Sequence, residues 1–195
     1  MSTFDSTKTQ FRQLHNEIGL PESTSSRANK PKHYSYRVIH DLGFAPHISG
    51  RVCTLCGCKS TTIEKWATVG SWVIGIGGRG TGKPNKLIYA MQVTTTHSYN
   101  ELRRSRPSAA AYLRRHRIPE DARVLLSDHF YYFGDKAQTI PQSLTHIIQP
   151  AQGCRRLSDQ DIEKVCRLIL DRFGIGRHGT PNNAPGRPSC ARSEC

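Results

Sequence analysis

The chain has 195 residues, 36% of them hydrophobic, with 28 Lys and Arg against 15 Asp and Glu, a formal net charge of +13. That length builds one domain with a core and short appendages. No apolar run approaches the ~20 residues of a membrane span, no apolar h-region opens the chain, and the charge balance favours a polyanionic partner, nucleic acid above all. Seven cysteines, an odd number without an export signal, read as free thiols of a reducing cytosol, so the expected compartment is cytoplasmic.

Residues 1–32 read as an appendage. Phe4, Phe11, Leu14 and Ile18 share a helix face, suited to capping the domain or docking a protein partner, and a polar linker follows from Glu22 to Lys32. The domain is expected over residues 33–174. Tyr34 to His40 alternates Tyr34, Tyr36, Val38 and His40 against Ser35, Arg37 and Ile39, the period of a strand. A turn over Asp41 to Pro46 and the run Cys53-Thr54-Leu55-Cys56-Gly57-Cys58-Lys59 lead to a short helix holding Ile63, Trp66 and Ala67, with Thr61 and Glu64 at capping-box spacing.

The stretch Gly70 to Thr96 reads as strand, basic glycine-rich loop, strand. Trp72-Val73-Ile74 and Leu87 to Val93 carry β-branched and aromatic residues. In the second run Leu87, Tyr89, Met91 and Val93 are expected on one face, Ile88, Ala90 and Gln92 on the other. Arg79, Lys83 and Lys86 stand among the intervening glycines, a composition that brings backbone N–H groups and positive charge to a phosphate. Ser98 and Glu101 give a second capping box. The segment behind it carries Arg103, Arg104, Arg106, Arg114, Arg115 and Arg117 and is split by Pro107 into two short helices. Strands are expected at Val124–Ser127 and Phe130–Gly134 around Asp128-His129, ending near Pro141. Ile162, Val165, Cys166, Ile169, Leu170 and Phe173 mark a docking helix from Asp159 to Phe173 that begins at Ser158 and stops at Gly174. Residues 175–195, rich in Gly, Pro, Asn and Arg, read as a disordered basic tail.

Gly75-Ile76-Gly77-Gly78-Arg79-Gly80 matches a dinucleotide fingerprint, and Gly77 to Lys83 has P-loop spacing. Both motifs need a helix to follow, and here a strand follows at once, so the reading is a hairpin loop and no cofactor is expected. Cys53, Cys56 and Cys58 could give zinc three thiolates, but the sequence offers no adjacent fourth ligand, so no metal is expected. The catalytic candidates are Cys58, whose pKa Lys59 and a helix N-terminus would lower, and the pair Asp128 and His129. Adjacent strand residues face opposite sides, so a plain turn is the competing reading.

Aromatic residues concentrate in the β region. Tyr36, Trp72, Tyr89 and Tyr132 are candidates to stack on an unstacked base, with Lys59, Arg79, Lys83 and Lys86 on phosphates and Asp128 or His129 on the base edge.

Six blocks occur in order: Tyr34-x-Tyr36; Asp41-x-Gly43-Phe44-Ala45-Pro46; Cys53-Thr54-Leu55-x-x-Cys58-Lys59; Gly70-x-Trp72-Val73-Ile74-Gly75; Leu87-Ile88-Tyr89-Ala90-Met91-x-Val93; and Ser127-Asp128-His129-Phe130-x-Tyr132-Phe133-Gly134. Together, from about Tyr34 to Pro141, they resemble the second type of nucleotide-modification-associated domain and, more broadly, the PUA, ASCH and EVE group of small β-barrels. The chain departs from that pattern at Ser71, where Asp is usual, and at Cys56, where a small residue is commoner. The resemblance implies association with nucleobase modification and binding of RNA or modified bases on a barrel. The expected fold is therefore α+β: a small, mostly antiparallel PUA-like β-barrel with peripheral helices. The expected function is a nucleic-acid-binding domain that recognises a modified or flipped base. The alternatives are an enzyme modifying a nucleobase or nucleotide, and a basic scaffold in a nucleoprotein complex.

Overall fold

The computed structural model describes residues 30–57, 61–111, 113 and 118–182. The chain divides into Met1–Lys30 and Pro31–Cys195, and the fold below is that of the second unit. The expected N-terminal helix, the arginines at 114, 115 and 117, Cys58, Lys59 and the tail from residue 183 lie outside the described residues.

Eleven strands are described: β1 (His33–Val38), β2 (His47–Ser49), β3 (Val52–Leu55), β4 (Trp72–Gly77), β5 (Lys86–Gln92), β6 (Thr95–Ser98), β7 (Arg123–Ser127), β8 (His129–Tyr132), β9 (Gln138–Thr139), β10 (Cys154–Leu157) and β11 (Gly176–Arg177). They pair into two sheets, β10-β1-β4-β5-β8-β11 with β9 added beside β5, and β2-β3-β7-β6. Pairing is antiparallel except for β1 with β4 and β11 with β8. The fold is α+β, as expected, but the strands form two packed sheets and not one closed barrel.

Side chains sort by strand parity into three apolar layers. Tyr34, Tyr36, Val38, Val73, Tyr89, Met91 and Tyr132 of the large sheet meet Cys53, Leu55 and Leu125 of the small one. Trp72, Ile74, Ile76 and Ala90 face the other way, against Leu144, Ile147, Ile162, Val165 and Ile169. Val124 and Leu126 carry the outer face of the small sheet, covered by Tyr99, Leu102, Ala109 and Ala110.

Among the described residues the α-helices are α1 (Thr61–Trp66), α2 (Tyr99–Ser105), α3 (Pro107–Ala110) and α4 (Asp159–Leu168). Among the described residues no helix is long and apolar enough to cross a membrane. The Ser98–Glu101 capping box is present, with Glu101 N donating to Ser98 Oγ at 3.2 Å and Ser98 N to Glu101 Oε2 at 2.7 Å. Pro107 divides α2 from α3 as its missing N–H requires. A second capping box starts α4, between Ser158 and Asp161. Burial works to raise the Asp161 pKa, but bonds from Ser158 and His146 prevail and hold it below the usual carboxylate value.

The docking helix ends at Leu168, earlier than its periodicity suggests, and a 3-10 turn over Leu170–Arg172 finishes it. Gly174 is not left-handed; the tighter turn stops the helix instead. The stretch 175–182, read from composition as disordered, is ordered. Gly176 and Arg177 pair with Tyr131 and Tyr132, His178 N donates to Tyr132 O at 2.8 Å, and Asp135 N to Thr180 O at 2.9 Å.

Candidate nucleic-acid interface

The aromatic residues proposed for base stacking do not share a face. Tyr36, Tyr89 and Tyr132 project between the sheets and Trp72 projects away from them. All four are buried. The Tyr36 and Tyr89 hydroxyls lie 2.7 Å apart, and Tyr132 donates to Asp41 Oδ1 at 2.7 Å. Trp72 meets His129 edge-on, with ring centroids 5.3 Å apart. The tyrosine hydroxyls therefore satisfy one another and Asp41 inside the core, where an amphipathic ring needs such a partner.

Asp41 is the buried carboxylate of this core, 1% exposed. Its second oxygen accepts from Asn182 N at 3.1 Å. Burial pushes its pKa up, while the bonds from Tyr132, Asn182 and Gly43 pull it part of the way back. Asp41 thus ties the C-terminal strap, residues 176–182, to Tyr132 of β8.

Within the glycine-rich loop the backbone N–H groups are turned inward. Gly78 N donates to Val38 O at 2.8 Å, Gly82 N to Arg79 O at 3.1 Å, Asn85 N to Gly77 O at 2.8 Å, and Lys83 N to Thr81 Oγ1 at 3.1 Å. The glycines serve close packing. A Cβ on Gly75 would run into the Tyr89 ring, one on Gly77 into the Lys83 carbonyl, and one on Gly80 into the Ile39 carbonyl. The cradle of backbone N–H groups expected for phosphate is absent from these described positions, and the loop offers side chains instead. Arg79 and Lys86 are exposed and Lys83 half-buried. No carboxylate of the described residues forms an ion pair with any of the three.

Beside this loop lies a cleft of about 540 Å³. The end of β1 and its exit (Arg37, Ile39, His40), the loop (Gly78, Arg79, Gly80, Pro84, Asn85) and the approach to β10 (Pro150, Ala151, Gln152) wall it. Its volume falls in the range of ligand pockets. Arg37, His40, Asn85 and Gln152 were missed in the sequence. The available signals were Arg37 on the polar face of an alternating strand and a Pro-Asn pair at the end of a glycine loop.

Asp128 and His129 have separate hydrogen-bond and ring partners among the described residues. Asp128 is exposed at the turn between β7 and β8, where its N–H donates to Thr94 Oγ1 at 3.3 Å. His129 N donates to Ser127 Oγ at 3.0 Å, and its ring packs on Trp72 and Tyr131. The turn reading fits this stretch, and neither residue lines the cleft. Cys53 and Cys56 occupy different apolar layers. Burial pushes both thiols up, Cys56 to about 12 with help from the Glu64 charge, so neither is a ready thiolate. Arg103 pairs with Glu120 at 3.6 Å, while Arg104 and Arg106 are exposed. At Ser71, buried at the turn after α1, the hydroxyl accepts from Thr68 N at 2.9 Å, the role a carboxylate would fill there.

No curated protein matches the chain. Among solved structures it is similar to the ASCH protein of Zymomonas mobilis, with 12% identity over 70% of this chain and 95% of that one and a TM-score of 0.42. It is also similar to a tyrosine-to-phenylalanine mutant of that protein, with 14% identity over 70% of this chain and 98% of the other and a TM-score of 0.38. The family model described as nucleotide modification associated domain 2 matches residues 30–119 and 103–187, so the match runs past the six blocks to take in α4 and the strap. The chain belongs to the nucleotide modification associated domain 2 family.

Proposed function

We propose that this domain binds nucleic acid and takes a modified or flipped base, with its nucleotide, into the cleft between β1, the glycine-rich loop and the approach to β10. The observation that carries the reading is the lining of that cleft: two arginines and a histidine, two amides, apolar walls, and no carboxylate among the described residues. Arg79, Lys83 and Lys86 then hold the sugar-phosphate backbone and set affinity, while the cleft sets selectivity. The buried tyrosines support the reading by fixing the sheets, not by stacking.

The test is binding of the purified protein to matched DNA and RNA oligonucleotides, plain and base-modified, at two salt concentrations, followed by digestion and weighing of the nucleosides. Lys83→Ala weakens binding evenly across sequences and lowers its salt dependence, as loss of one phosphate contact must. Arg79→Ala additionally erodes the preference for the modified base. A new nucleoside mass, abolished by Cys58→Ala or Asp128→Asn, replaces this reading with the enzyme. Binding by wild type that neither substitution changes removes the loop from the interface.

A further inference from the structure

Arg37 spends its guanidinium on the protein. Its Nε donates to Gln149 O at 2.7 Å and Nη2 bonds the same carbonyl; Nη1 donates to Gly77 O and to Asn85 Oδ1, each at 3.0 Å. One side chain thus ties β1, the exit of β4, the end of the loop and the approach to β10, which are the walls of the cleft. The consequence falls on Asn85. Arginine has only donors, so the end of the Asn85 amide facing it must be the acceptor oxygen. The Nδ2 end, with two N–H groups, is left over, and it makes no hydrogen bond to the described residues. Asn85 holds a left-handed φ of 59° and its N–H donates to Gly77 O at 2.8 Å, so its backbone is held as well as its amide. Arg79 lines the same cleft, exposed, with no carboxylate partner among the described residues.

The cleft lining therefore includes hydrogen-bond donors and positive charge, and a ligand complementary to it carries acceptors and negative charge. We propose that Arg79 and the Asn85 Nδ2 amide form a phosphate subsite, with His40 at its rim and Arg37 as the positioning residue that sets the amide's direction. The ligand is a phosphate of a nucleic-acid strand, terminal or internal. The space walled by Ile39, Pro84, Pro150 and Ala151 receives the sugar and base. The proposal rests on the reading of the cleft as the nucleic-acid site and adds its chemical polarity.

Asn85→Asp is the discriminating variant. Asp keeps the oxygen that accepts from Arg37 and tolerates the left-handed backbone, so the fold is retained, but it replaces the N–H donors with a second carboxylate oxygen. Asn85→Gly suits the same φ and removes the side chain. Binding of the full chain to a 5′-phosphorylated oligonucleotide falls about tenfold or more in Asn85→Asp, as loss of a charge-assisted bond with added repulsion requires, and less in Asn85→Gly. In an Arg37→Lys background the Asn85→Gly loss shrinks, a coupling in binding that a purely structural Arg37 would not produce.

The same oligonucleotide with a 5′-hydroxyl identifies the source. A preference for the phosphorylated end means a terminal phosphate, and equal binding means an internal one. Wild-type-like or tighter binding by Asn85→Asp, with Arg79→Ala still weakened, overturns the subsite and leaves the cleft as the interface. Unchanged binding by both Arg79→Ala and Asn85→Asp overturns the cleft reading itself.

Discussion

Tyr132→Phe tests whether the tyrosines act inside the fold. The substitution keeps the ring and deletes the hydroxyl that donates to Asp41 Oδ1 at 2.7 Å. Asp41 is 1% exposed, so water does not replace the donor. A hydrogen bond to a charged group contributes roughly 1.5–3 kcal/mol and one to a neutral group about 1 kcal/mol. The cost is therefore about 2 kcal/mol where Asp41 is ionised and about half that where it is protonated. The sign of the pH dependence follows from the direction of the shift. Burial holds the Asp41 pKa above its ordinary value, so the stability linked to it is present at low pH and lost as pH rises through the folded pKa. Removing the Tyr132 hydroxyl raises that pKa further and deepens the loss. Urea unfolding of wild type and variant at about pH 4.5 and pH 8 reads it directly. The gap between the two proteins widens toward pH 8, while oligonucleotide binding below the transition stays unchanged. A gap that is constant with pH, or that closes as pH rises, refutes the assignment of Asp41 as the hydroxyl's partner.

Other substitutions probe the rest of the frame. Gly80→Ala places a methyl against the Ile39 carbonyl and 2.8 Å from the His40 ring; it costs about 1–3 kcal/mol in urea unfolding and weakens oligonucleotide binding by displacing the cleft wall. Ser158→Ala removes the acceptor for Asp161 N at 3.2 Å and lowers stability by about 1 kcal/mol, read as a melting temperature lower by roughly 2–4 °C. Because Asp161 is held below the usual carboxylate value, its contribution is present at neutral pH and lost as pH falls through its folded pKa, so the Ser158→Ala deficit shrinks in acid.

The layers were legible where periodicity is local. Tyr34, Tyr36 and Val38 alternate against Ser35 and Arg37, and the structure keeps that division: the first three enter the inter-sheet core, while Ser35 donates to Ile147 O at 2.7 Å. The same rule fails inside β5, where Leu87 joins the outer layer and Ile88 the inner one, the reverse of strict alternation from Tyr89. The register between β4 and β5 shifts at Gly75/Ile76, so that Gly75 pairs with Tyr89 and Ile76 with Leu87. One extra residue flips every side chain beyond it. A bulge depends on the partner strand, and no window of a single strand contains that information.

The short strands were missed for a related reason. β2, β6 and β10 carry few apolar residues and are held by their neighbours: His33 to Tyr36 supply the register for β10, and Leu125 and Leu126 for β6. The strap at 176–182 reads as disordered from its glycines, proline and arginine, yet its order comes from contacts distant in sequence, with Tyr132, Asp135 and Asp41.

The candidate site shows the same division. Arg79, Lys83 and Lys86 are visible as charge in a loop that cannot make a core. Arg37 and Asn85, 48 positions apart, become one device only when β4 and β5 lay the loop across the end of β1. A free arginine advertises itself in composition, whereas an arginine spent on carbonyls does not. The residue that sets the polarity of the cleft is thus the one whose charge the sequence gives no reason to single out.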